Sequence, residues 1–77
     1  MKVVEVTWFD AQSSTCSMTI EEIERELKPL KSKSVGYLVL DKKEHIVLGF
    51  LDFGNGLIKH HQTIPRGMIE KIEVIKK

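Results

Sequence analysis

Ser34–Ile64 reads SVGYLVLDKKEHIVLGFLDFGNGLIKHHQTI, and the spacing of its apolar residues decides the fold. They recur at every second position, the period of a strand rather than a helix. Ser34–Leu40 and Glu44–Phe53 form two strands joined by the polar hairpin turn Asp41-Lys42-Lys43-Glu44. Gly54-Asn55-Gly56 makes a second turn, because glycine and asparagine accept positive φ at little cost. Leu57–Ile64 is then the third strand of a meander. In Ile46–Phe53 both alternating sets are apolar, so this strand asks for cover on two faces.

Working outward, Lys2–Phe9 is β-branched and aromatic with a period near two, with Val4, Val6 and Trp8 on one face. The polar stretch Asp10–Ser17 is a loop by composition. A helix follows. Thr19 and Glu22 form a capping box, Met18 and Ile23 stand at staple positions, and Ile20, Ile23 and Leu27 mark one helical face. Pro29 places the helix end near Lys28. Beyond the meander, Pro65-Arg66-Gly67-Met68 is a tight turn of 3₁₀ type, and Ile69–Ile75 is a last strand. The chain is therefore expected to be a single mainly β (α+β) domain over residues 1–77. The order of elements predicts a five-stranded SH3-like small barrel with one α-helix inserted between strands 1 and 2. The helix stripe is expected to cover part of one sheet face, and sister chains in a homo-oligomer the rest.

The chain has 77 residues, 12 Lys+Arg against 11 Asp+Glu, and one cysteine. That length excludes a Rossmann domain, a kinase or a TIM barrel. The near-zero net charge gives no global attraction to nucleic acid, so any such role rests on local clustering. Cys16 alone makes no internal disulfide and no multi-cysteine zinc site. The N-terminal stretch lacks the pattern of a signal peptide, and no run approaches a membrane span. A cytoplasmic protein without membrane association is the expectation.

The segments Trp8-Phe9-Asp10, Ser34-Val35-Gly36-Tyr37 and Ile64-Pro65-Arg66-Gly67-Met68-Ile69 resemble those of small bacteriophage and prophage proteins. These share the plan strand, polar loop, helix and β-meander. The resemblance implies an accessory binding protein, active in the host cell cytoplasm, that blocks or sequesters a component of host defence. The tail Ile64–Ile75 is also similar to the second Sm motif, in which an Arg-Gly pair helps bind RNA across a ring of subunits. That similarity implicates Arg66, although Pro65 stands between Ile64 and Arg66.

The candidate chemistry is sparse. Cys16 precedes a helix start, where a thiolate is stabilised, and a histidine among His45, His60 and His61 would complete a nucleophile pair. No hydrolase signature surrounds it, and the plainer reading is a packed loop cysteine. His60 and His61 are adjacent on a strand and point to opposite faces, which disfavours chelation of one metal ion. Neither metal nor cofactor is expected. From Phe53 to Ile69 there is no acidic residue, whereas Lys59 and Arg66 are basic and His61 adds polar nitrogen. Lys59, His61 and Arg66 form a candidate anion site, Arg66 supplying a planar fork. A solvated outer face is the plainer alternative. Trp8, Asp10 and Ser13, at the polar loop, complete the candidate ligand-binding set. Lys28, Lys31 and Lys33 read as a solubilising connector. Three functions remain open: a non-enzymatic protein holding an anionic, nucleotide-like ligand or a host protein, an Sm-like RNA binder, and a small Cys16-dependent hydrolase.

Overall fold

The computed structural model describes all 77 residues. β1 (Val3–Asp10) is followed by α1 (Ile20–Glu26), β2 (Leu30–Asp41), β3 (His45–Asp52), β4 (Ile58–Pro65), the 3₁₀ turn η1 (Arg66–Met68) and β5 (Ile69–Lys76). All five strands belong to one antiparallel sheet in the order β4-β3-β2-β1-β5. The sheet is mainly β with the single helix between strands 1 and 2, as the sequence predicts.

β2 is the long strand and serves two partners in succession. Residues Leu30–Tyr37 pair with β1, and Tyr37–Asp41 pair with β3 across a register shift between Leu38 and Leu40. The strand begins directly after Pro29, earlier than its apolar pattern shows. Lys31 and Lys33 therefore lie in a strand rather than in a connector.

No ladder joins β4 to β5, so the sheet is not closed. It is nonetheless curled. β4 and β5 occupy opposite edges but are linked by only Arg66–Met68. Four steps of ~4.8 Å would separate the edges of a flat sheet by about 19 Å, whereas four Cα steps of ~3.8 Å reach about 15 Å even fully extended. The edges must approach one another where β4 ends.

The concave side holds the core: Val4, Val6, Trp8, Ile46, Leu48 and Ile64, with Leu38, Ile69 and Ile72 packed against it. The Trp8 indole N–H donates to Ser34 Oγ at 3.0 Å, so its one polar atom is satisfied. Two glycines permit close approach. A Cβ on Gly49 would press into the Ile58 side chain and lie 2.9 Å from Val39 Cγ2; a Cβ on Gly36 would lie 2.9 Å from the Gly49 carbonyl and 3.0 Å from the Phe50 ring.

The helix departs from expectation. Half of its capping box forms as read, the Glu22 amide donating to Thr19 Oγ1 at 3.1 Å; Glu22 Oε1 accepts from the Thr19 hydroxyl at 3.1 Å rather than from the Thr19 backbone N–H. No side chain of α1 is buried, however, and Ile20 remains 83% exposed. The tertiary packing is almost wholly strand on strand. Two apolar side chains on a seven-residue helix, with Leu27 at its C-cap, offer too little area to offset ordering the polar loop that carries them. The loop and helix form an arm, and the molecule extends 52 × 21 × 20 Å.

Candidate functional site

The face of the sheet opposite the core carries a row set by register. Lys33 on β2 stands opposite Thr7 on β1, and Thr7 stands opposite Lys71 on β5. Residues so placed across an antiparallel sheet lie side by side on one face. Between Thr7 and Trp8 the β1–β5 register shifts: Trp8 pairs with Ile69, and Glu70 is the extra residue. A bulge of this kind bends its strand and re-aims side chains. Glu70 and Lys71, adjacent in sequence, consequently both line one depression of about 350 Å³ together with Thr7, Lys31 and Lys33.

Its electrostatics follow from the pairs that form. Lys31 Nζ lies 3.3 Å from Glu70 and Lys33 Nζ lies 3.8 Å from Glu5, whereas Lys71 makes no ion pair. Three ammonium groups are thus opposed by two carboxylates. Thr7 is 3% exposed and forms the floor. None of the five lining residues is hydrophobic. Ammonium donors around a hydroxyl, in a site of this volume, suit an oxyanion such as a phosphate group.

The expected ligand residues are dispersed. Arg66 is engaged within the fold: its Nε and Nη2 donate to the Lys42 carbonyl at 3.2 and 3.0 Å, and Nη2 also pairs with Asp41. That clamp fastens η1 to the β2–β3 turn. Lys59 lies opposite Leu51, about six strand residues or ~20 Å from the Arg66 end of β4. His61 turns its Nε2 to the Ile58 carbonyl at 2.7 Å, across His60, which holds a φ of 60°. Trp8 belongs to the core, and Asp10 Oδ1 accepts from the Ala11 amide at 2.8 Å. Ser13 lines a second depression of about 450 Å³, between the polar loop and α1, with Cys16, Glu22 and Leu27. His45, His60 and His61 are not among its lining residues, so the candidate Cys–His pair does not come together there. The six residues do not converge on one site.

Lys31, Lys33, Lys71 and Thr7 were legible only in part. The alternation Lys31-Ser32-Lys33-Ser34-Val35 has the period of two that puts both lysines on one strand face. Lys71 joins them through a long-range register and a bulge, which no local pattern carries. Comparison with family models, with curated proteins and with solved structures returned no match.

Proposed function

We propose that this chain is a non-enzymatic binding module of the SH3-like or Sm-like small-barrel plan, self-associating, which holds a phosphate-bearing anionic ligand at the Lys31–Lys33–Lys71 face. One observation carries this reading: three lysines and Thr7 line a depression without a hydrophobic residue, where Glu70 pairs with Lys31 and the neighbouring Glu5 with Lys33, and Lys71 makes no ion pair. The curled five-stranded sheet supports the barrel plan, with β1 central between β2 and β5. The anion seat lies at the lysine row rather than around Arg66, because the Asp41 and Lys42 contacts already occupy that guanidinium. An Sm-like RNA contact through Arg66 would have to break the same clamp. Sequestration of a nucleotide-like ligand without turnover would serve the counter-defence role that the phage resemblance implies.

The test is calorimetric titration with inorganic pyrophosphate and with ATP at low ionic strength. Binding is expected, with affinity falling as salt rises. Lys71→Ala is expected to weaken it about tenfold, ~1.4 kcal/mol, whereas Arg66→Ala leaves it unchanged. No heat from either anion at millimolar concentration, or loss through Arg66 instead of Lys71, would overturn the lysine site.

A further inference from the structure

The arm and the β3–β4 tip are two unpartnered surfaces of complementary character. We infer that α1 of one protomer docks on the Phe53–Lys59 region of a second copy, and reciprocally, in a two-fold dimer. This rests on the self-association proposed above and specifies the surfaces that carry it.

Area argues for an occupant. A folded monomer of 8.8 kDa is expected to expose about 4,800 Å², and this chain exposes 5975 Å². The excess, about 1,200 Å², exceeds the ~800 Å² that each partner contributes to a standard stable interface. A lone helix of seven residues is also far below the ~12–15 residues at which isolated helices become marginally stable in water, so α1 gains order from contact.

Charge selects a second copy as that occupant. Ile20–Glu26 carries Glu21, Glu22, Glu24 and Glu26 against Arg25 alone. Phe53–Ile69 carries no acid and presents Lys59, His60 and His61; the flanking Asp52, at the end of β3, turns Oδ1 to the Gly54 amide at 2.8 Å. Apolar groups match as well: Ile20 and Ile23 are 83% and 43% exposed on the arm, and Phe53 and Leu57 are 60% and 64% exposed at the tip. A two-fold operator buries both halves of this contact twice, because each chain supplies an arm and a tip.

Sedimentation and carbodiimide cross-linking of mixed ¹⁴N and ¹⁵N chains test the docking. The expected result is a wild-type dimer with mixed-isotope cross-links from Glu21 or Glu24 to Lys59. Ile20→Asp/Ile23→Asp and, independently, Phe53→Asp are expected to yield monomers that retain the sheet's circular dichroism. Wild-type association that survives all these substitutions would overturn arm docking while leaving self-association intact. A wild-type chain that sediments as a monomer would overturn both.

Discussion

Trp8 illustrates how much one hydrogen bond fixes. Its ring fills the core where β1 ends, and its indole N–H finds Ser34 Oγ, 26 residues away, at 3.0 Å. Removal of that acceptor leaves a largely buried donor without a partner, at a cost of about 1–3 kcal/mol. Ser34→Ala is therefore expected to lower the unfolding free energy by that amount, read as a fall in the urea midpoint, and Ser34→Thr to retain most of it. An unchanged midpoint in Ser34→Ala would mean that water replaces the hydroxyl. The alternation of Val4, Val6 and Trp8 announced the core face of β1, but no spacing announced Ser34 as the partner. The same limit hid the lysine row. Lys33 and Thr7 share a face through pairing, and Lys71 reaches them through the bulge at Glu70.

At the scale of elements, the helix separates local from tertiary information. Thr19 caps the Glu22 amide as their spacing predicts, while Glu22 bonds the Thr19 hydroxyl instead of its backbone N–H, and Leu27 closes the helix just short of Pro29. That it packs on no face of the sheet was not legible, because a stripe of Ile20, Ile23 and Leu27 states a need for cover and not its source. Since the cap is local, Thr19→Ala is expected to destabilise α1 by about 1 kcal/mol. At protein concentrations where the chain associates, exchange of the Ile23 and Leu27 amides should rise roughly fivefold, at this ~1 kcal/mol per cap. Those of Val4 and Leu48 should keep their protection. Equal acceleration at all four would show that helix and sheet unfold as one unit. β2 carries the converse lesson. Within its first residues, Lys31–Lys33 read as a basic connector because they lack the apolar side chains that mark a strand, yet pairing with β1 extends the ladder through them.

At the scale of the whole molecule, near-neutral charge conceals a division. The arm is acidic, the segment from Phe53 to Ile69 is acid-free, and the outer sheet face holds the lysine row. The dimensions agree with an incomplete unit: a radius of gyration of 15.7 Å compares with about 11.5 Å for a compact chain of this length. Six side chains in the buried core are few for 77 residues, and two open sheet edges remain. A second copy would supply the missing burial, so stability should depend on concentration, as mass action requires when only the folded state associates. The decisive measurement is the thermal midpoint, followed across a hundredfold range of protein concentration with the sedimenting mass determined at each point. A midpoint that climbs with concentration, alongside a mass above that of one chain, is the predicted result. A constant midpoint at the mass of a single chain would contradict it.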